Sequence, residues 1–363
     1  MQINSPGYCF VSLYQSYPSY HGASDITYNF FNSWPNKNKK LFQITSSKFK
    51  KKKIFNISNK FGFFGNLYNL FSITYHIKKY FNKYRKKVLI IEGASWAGYI
   101  YFLTNLCKIF IKDVIIIYHA HNLEYEVRKL KNNFFISYIT FFLEKHIYKN
   151  YIGTCVSAKD YNFILKNYGI KPILFENGII NFKEEPVLNK KLNKKKFILF
   201  CGSYSYWPNK IAIDTIIKQR KIFENIYPNI KFVFTGEGIN NFKYENFLNL
   251  GIVKKTNLVW LIKNCLLFYA PMPKAPGTKL KIIEAIYHGA KVICSKHALV
   301  GIKNIKNMNS IIITSENKLK YNLNQMKKIK IKENKIKDLK MFRKHYDLNK
   351  KTINFYEKIN KLL

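Results

Sequence analysis

The chain of 363 residues carries 62 Lys and Arg against 20 Asp and Glu, a formal net charge of +42, yet 47% of it is hydrophobic and 17% aromatic. That hydrophobic content excludes general disorder, and the length suffices for two ordinary domains with separate cores. The charge predicts a surface attracted to phosphates and acidic lipids, whether it was selected or accumulated with the Asn, Ile, Phe and Tyr that share AT-rich codons.

Elements follow in chain order. The runs CFVSL from Cys9, KLFQIT from Lys40, KVLIIEG from Lys87, DVIIIYHAH from Asp113 and YIGTCVS from Tyr151 are short and rich in Val, Ile and aromatics, as strands buried on both faces require. Between several of them lie stretches of helical period, from Asn66 and from Phe134. Alternation of this kind predicts a parallel-sheet α/β domain. The lysine-rich patch from Phe49 to Lys60 reads either as a solvated loop and helix face or as an interfacial segment pairing aromatics with anionic lipid. Pro186 opens a polar, lysine-rich run to Lys196 that reads as a linker. The alternation then restarts with FILFCGS from Phe197, a helix from about Asn209, IKFVFTGEG from Ile230, CLLFYAP from Cys265, a helix near Lys281 and AKVICS from Ala290. The expected organisation is an N-terminal domain over 1–185, a linker over 186–196, a C-terminal domain over 197–340 and a closing helix over 341–363.

No apolar run approaches the roughly 20 residues that span a bilayer, and the opening MQINSPGYCFVSLYQS lacks the basic start of a signal peptide. The 6 cysteines stand singly, without metal-like spacing, as small buried residues of a reducing compartment do. The expected location is the cytoplasm, free or peripheral on the inner face of the membrane.

The stretch GTKLKIIEAIYHGAKVICS from Gly277 places Lys279 and Lys281 at a helix start, where the macrodipole alone disfavours cations. Outward-pointing amides, a glycine and two lysines suit a diphosphate. Glu284, one turn deeper, can accept hydrogen bonds from a ribose diol.

PGTKLKIIEAIYHGAKVICSKHALVGI, from Pro276, resembles the signature of the large retaining glycosyltransferase family, family four, whose GT-B fold pairs two Rossmann-like domains. FCGSYSYWPNKIAIDTI resembles the first strand and helix of that family's C-terminal domain, FVFTGEG its second strand and glycine turn, and NLGIVKKTNLVWLIKNCLLFYAP its base-proximal segment. YHAHNLEYEVRKL, CVSAKDYNFIL and ILFENGI resemble, more loosely, N-terminal loops of the family. The resemblance covers nearly the whole chain. It implies an α/β fold of two doubly wound, Rossmann-like parallel-sheet domains facing a cleft. It also implies a nucleotide-diphosphate sugar as donor substrate, with no metal or other cofactor.

On that basis Gly277, Thr278, Lys279 and Lys281 neutralise the diphosphate, and Glu284 holds the ribose. Gly202, Ser203, Asn209, Gly236, Gly238 and Val253 line the nucleotide side. His119 and His121 lie near the leaving oxygen and donor sugar, each reading equally as a hydrogen-bonded structural residue. Asn122 and Glu124, with His21, Gly22 and Ser24 of SYPSYHGAS, border the acceptor. The implied reaction moves a sugar onto a glycan or lipid-linked acceptor with retention, as in cell-surface polysaccharide or lipopolysaccharide synthesis; the charge, separately, makes an anionic membrane surface an expected partner. Two departures matter: Pro276 replaces the first glutamate of the family's Glu-x7-Glu pattern, and Ser203 and Asn209 stand where many members carry Arg and Lys. The first, which removes one expected polar contact, keeps open a GT-B-fold epimerase or an inactive member. The charge keeps open a nucleic-acid-binding basic protein, but it is spread rather than concentrated and no recognition motif accompanies it, so no specific nucleic-acid partner is expected.

Overall fold

The computed structural model describes residues 3–19, 22–46, 49–60, 62–130, 134–187, 192, 196–238, 244–275, 277–306, 308–328 and 334–363, without the side chains of 63 and 334–337. Two compact units emerge. One contains Met1–Ser19, Ala23–Glu176 and Leu348–Leu363, the other Tyr20–Gly22 and Asn177–Asp347.

The first unit runs β1 (Gly7–Ser12), α1 (Gly22–Ser33), β2 (Lys39–Thr45), β3 (Ile54–Ser58), α2 (Gly62–Phe81), β4 (Lys87–Glu92), α3 (Ala97–Phe110), β5 (Val114–His119), α4 (Glu124–Leu130), α5 (Phe134–Asn150), β6 (Ile152–Cys155), α6 (Ala158–Tyr168) and β7 (Ile173–Leu174). Its seven strands are ordered β3-β2-β1-β4-β5-β6-β7, with parallel pairing throughout. The chain steps one way from β1 to β3 and the other way from β4 onward. Right-handed crossovers therefore put α1 on one face and α2, α3 and α5 on the opposite one.

Side-chain alternation along β1 agrees with that arrangement. Cys9 and Val11 share a core with Leu70, Ile73, Ile77, Ile100, Leu103 and Ile147 of the second helical layer. Phe10 points the other way and meets the rings of Phe30, Phe31 and Trp34 at 5.3–5.6 Å. One expectation changes here. Ile54–Ser58, inside the lysine-rich patch, is an edge strand in register with β2, and Phe55 packs on Phe42. Flanking lysines are a usual guard of such an edge.

The second unit runs β8 (Phe197–Cys201), α7 (Trp207–Ile226), β9 (Lys231–Thr235), β10 (Phe247–Asn249), α8 (Lys255–Asn264), β11 (Leu267–Ala270), α9 (Leu280–Tyr287), β12 (Val292–Cys294), β13 (Ile311–Ile313), α10 (Leu319–Lys328) and α11 (Asn334–His345). The strand order is β10-β9-β8-β11-β12-β13, again parallel. Its core joins Phe200, Phe232, Phe234 and Tyr269 to Ile213, Ile216, Phe223, Ile282 and Ile286.

The closing stretch forms two helices rather than one. α11 stops at His345, and α12 (Leu348–Asn360) belongs to the first unit. The break falls where Tyr346 carbonyl oxygen accepts from Ile179 amide at 2.7 Å and Asp347 bridges Ile179, so the backbone there bonds sideways instead of continuing the helix. Within the first unit, Tyr356 of α12 stacks edge-on against Trp34 at 5.3 Å, and Phe355 meets Phe175 at 5.0 Å. Among the described residues no helix is long and apolar enough to cross a membrane.

Candidate functional site

In each unit the strand order reverses once, between β1 and β4 and between β8 and β11. Open parallel sheets gather ligand loops at the carboxyl ends of the strands around such a point.

In the second unit, β8 runs out at Cys201 into Gly202. A Cβ on Gly202 would lie 2.4 Å from Lys281 Nζ and 2.7 Å from Asn209 Nδ2, so only glycine leaves room for the ammonium group. Gly236, at φ +142, comes equally close: a Cβ there would sit 2.3 Å from the carbonyl oxygen of Gly202. The strand-end turns are stitched together by Gly202 N to Thr235 O, Tyr204 N to Glu237 O and Gly236 N to Gly251 O, each 2.8 Å. Asn209, buried at the start of α7, donates from Nδ2 to Ser203 O at 2.8 Å and accepts from Lys281 Nζ at 2.6 Å.

Lys281 as a residue is partly exposed, but its ammonium is crowded by Gly202, Asn209 and the Phe200 ring, whose centroid lies 4.4 Å away. Desolvation, the largest influence, lowers its pKa to about 7, with Cys201 opposing and the neighbouring charge of Lys279 adding to the drop. Thr278 Oγ1 is buried with no hydrogen-bond partner among the described residues.

Lys279 behaves differently from Lys281. α9 starts at Leu280, later than the sequence suggests, and Lys279 is its N-cap residue. Its ammonium turns back to donate to the carbonyls of Ala275 and Gly277, both at 2.8 Å. Glu284 is buried one turn into α9, with Lys255 Nζ at 2.8 and 3.0 Å from its two oxygens. Ser203 Oγ lies 2.7 Å from Ser205 Oγ, Gly238 turns at φ +72, and Val253 packs on the unit's core. Pro276 lies outside the described residues.

In the first unit the corresponding position is held by a carboxylate. Glu92 ends β4 and pairs in register with His119, which ends β5. Glu92 Oε2 takes three contacts: His119 Nδ1 at 2.9 Å, His121 Nε2 at 2.7 Å and the Thr27 hydroxyl of α1 at 2.9 Å. Tyr14 OH lies 2.7 Å from Thr27 Oγ1, extending the chain outward. Burial pushes the Glu92 carboxyl up, but the two imidazoles outweigh it and hold the pKa at about 2. His121 is pushed down by burial, against the pull of Glu92. The His119 ring lies 4.5 Å from Phe30 and 5.2 Å from Phe175. Glu92 Oε1, His119 Nε2, His121 Nδ1 and Asn122 Oδ1 are buried without a partner among the described residues.

Glu92, His119 and His121 are also the one group among the described residues whose donor atoms, within 4.8 Å of one another, could share a cation. Both N–O separations are ordinary hydrogen-bond lengths, so protons suffice to account for the cluster. Glu124, at the start of α4, is engaged by Arg128 of the same helix at 2.5 Å. Its amide and that of Tyr125 are held by the buried carboxylate of Glu144, whose pKa burial raises to about 7. Ser24 is buried in α1, Gly22 opens that helix exposed, and His21 lies outside the described residues.

The loop after β1 is fixed by a residue the motifs did not flag. Gln43 of β2 accepts from the amides of Ser16 and Tyr17 at 2.8 Å each and donates to Tyr17 O and Asn56 Oδ1. Glu92, Thr27 and Lys255 were likewise missed. A lone acid at the end of the apolar run KVLII was the available signal for Glu92; Thr27 and Lys255 had none, because their partners are 65 and 29 residues away.

No protein-family model matches the chain, and no curated protein matches it. Solved structures do. HepE of Anabaena, in complex with UDP-glucose, aligns over 98% of this chain and 99% of its own, with a TM-score of 0.69 at 12% identity. A glycosyltransferase from Rickettsia africae aligns over 99% and 100%, with a TM-score of 0.63 at 14% identity. WaaG, a glycosyltransferase involved in lipopolysaccharide biosynthesis, aligns over 96% and 95%, with a TM-score of 0.61 at 13% identity. The fold of this chain is the GT-B fold.

Proposed function

We propose that the protein is a glycosyltransferase that takes a sugar from a nucleoside-diphosphate donor and places it on a glycan or lipid-linked acceptor, with retention. The observation that carries this reading is the cradle where β8 and β11 part. There a crowded ammonium, an orphaned hydroxyl on Thr278 and a glycine without room for a side chain face the same loop cluster. A lysine held near half-charged at neutral pH lacks a counter-ion, and a diphosphate supplies one.

In this reading Lys281 and Thr278 hold the diphosphate, and Asn209 and Phe200 fix where the ammonium sits. As the glycosidic bond breaks, negative charge grows on the departing diphosphate. The pre-placed cation then gains strength in the transition state without reorganising. Lys279, bonded to its own loop, shapes that loop and adds long-range positive potential. Glu284, oriented by Lys255, takes the ribose hydroxyls. In the first unit Glu92 fixes the Nδ1–H of His119 and the Nε2–H of His121. That leaves His119 Nε2 and His121 Nδ1 as acceptors for sugar hydroxyls. The binding partners of HepE, UDP and UDP-glucose, support a nucleotide sugar as donor. The charge of +42 supports work at an anionic, cytoplasm-facing membrane surface in surface-polysaccharide or lipopolysaccharide synthesis.

Thermal-shift screening of nucleosides, nucleoside diphosphates and their sugar conjugates tests the reading. One diphosphate series should raise Tm well beyond its bare nucleoside, and the matching sugar conjugate should be hydrolysed slowly or transferred. Stabilisation by no diphosphate at millimolar concentration would overturn it.

A further inference from the structure

The helical layer of the first unit carries an anomaly. α2, α3 and α5 lie side by side over the sheet, α2 against α3 and α3 against α5. Their inner faces are buried in the core, so their outer faces should be polar. They are aromatic instead. Tyr68, Phe71 and Tyr75 recur at three- and four-residue spacing along α2, exposed by 54–62%. Phe102 of α3 and Tyr138 and Phe142 of α5 continue the stripe at 51–57%.

The charge on this layer is one-sided. α2 and α3 contain no acidic residue, and the single acid of α5, Glu144, is buried. Lys78, Lys79, Lys108 and Lys149 are exposed in the last turns of the three helices.

We propose that the outer face of α2, α3 and α5 docks flat on an anionic lipid bilayer. Tyrosine and phenylalanine rings settle at the headgroup level, and the lysines meet lipid phosphates. Charge decides against the competing occupant, a second copy of this chain, because pairing the face with itself sets lysines against lysines on a molecule of charge +42. The lysine-rich segment around Phe49 is the weaker docking site, because Ile54, Phe55 and Ile57 are taken up by the sheet edge at β3 and Phe49 is left as its one well-exposed large apolar side chain among the described residues. The inference deepens the membrane part of the proposed function but is independent of donor chemistry.

The test is flotation of the full chain with vesicles of neutral phosphatidylcholine, with and without about one-third anionic phosphatidylglycerol, at near-physiological salt. The chain should float with the anionic vesicles and not the neutral ones. Replacing Tyr68, Phe71 and Tyr75 together by Ser should reduce the bound fraction by about tenfold or more, and Lys78→Glu with Lys79→Glu by several-fold, since both hydrophobic and electrostatic terms contribute. Lys50→Glu with Lys52→Glu, on the segment before β3, should change it least. Each variant should keep the wild-type melting profile and nucleotide response, which separates loss of docking from loss of fold or donor binding. If the triple-serine variant does not fold, the lysine pair decides alone. Unchanged flotation of the Lys78/Lys79 variant, or a larger loss at Lys50/Lys52, overturns the proposal. So does a dimer in sedimentation that the aromatic substitutions abolish, or binding to a random RNA that outcompetes anionic vesicles at the same salt.

Discussion

The two units solve the same topological problem with opposite electrostatics. Each reverses its strand order beside its first strand, and each places its polar cluster at the carboxyl ends there. In the first unit, Glu92 receives three donors and its pKa is held at about 2: the buried charge is satisfied from within. In the second, Lys281 is crowded and its pKa is lowered to about 7: the buried charge is short of partners. One carboxylate is held by its own unit, with two ring nitrogens left over for the proposed donor sugar; the ammonium of the other unit lacks a counter-ion, as the proposed diphosphate site requires.

The contrast breaks most sharply at Glu92. Replacing it with Leu strands two imidazole N–H groups in the core, at about 1–3 kcal/mol each, while the Thr27 hydroxyl keeps Tyr14 as a partner, so unfolding free energy should fall by roughly 2–6 kcal/mol. Chemical denaturation reads this directly. Lys281→Met should do the opposite, leaving the apo protein at pH 7 as stable as wild type or more so, because it removes an unpaired buried charge. The same variant should lose about 1.5–3 kcal/mol of nucleoside-diphosphate affinity while hardly affecting the bare nucleoside, as calorimetry can show. Equal, small losses for both ligands would detach Lys281 from the phosphate.

Titration sharpens the comparison further. Lys281 has a folded-state pKa below its unfolded one, so its contribution is present above the usual lysine range and is lost as pH falls toward about 7. Wild type should therefore lose stability between about pH 10 and 7 relative to Lys281→Met. A diphosphate favours the charged form, so binding near pH 7.5 should take up a proton in wild type and less in the variant. Glu92 is also depressed, and its contribution, complete above the usual carboxylate range, disappears as pH falls toward about 2. The smallest effect is expected from EDTA: if the lysine cradle manages the diphosphate charge, transfer should survive chelation. Loss of activity that Mn²⁺ restores would reassign that task.

Much of the fold was legible because buried parallel strands announce themselves. KVLIIE and VIIIYH contain scarcely a polar residue before their last position, and a strand covered on both faces tolerates nothing else. β3 was missed because an edge strand need bury only part of its surface, so IFNIS among lysines looked like solvated chain. The two closing helices looked like one because the break at Tyr346–Asp347 is made by backbone bonding to Ile179, which leaves no local sequence mark. The motif around Gly277 lies beside the cradle proposed in the second unit, but its spacing does not say which lysine would turn inward. Both lysines sit at one helix start, and the choice rests on Asn209 and Gly202, more than 70 residues earlier.

By itself the sequence determined two parallel-sheet α/β units and a loop that gathers glycine and lysines at a helix start, because hydrophobic period and local turn chemistry act between neighbours in the chain. Tertiary structure decided the pairings that give those residues their charge states. Glu92 met His119, His121 and Thr27, Glu284 met Lys255, and Lys281 lost its water beside Phe200. Desolvation and ion pairing depend on which distant strand ends the sheet brings side by side, and no spacing along the chain records that.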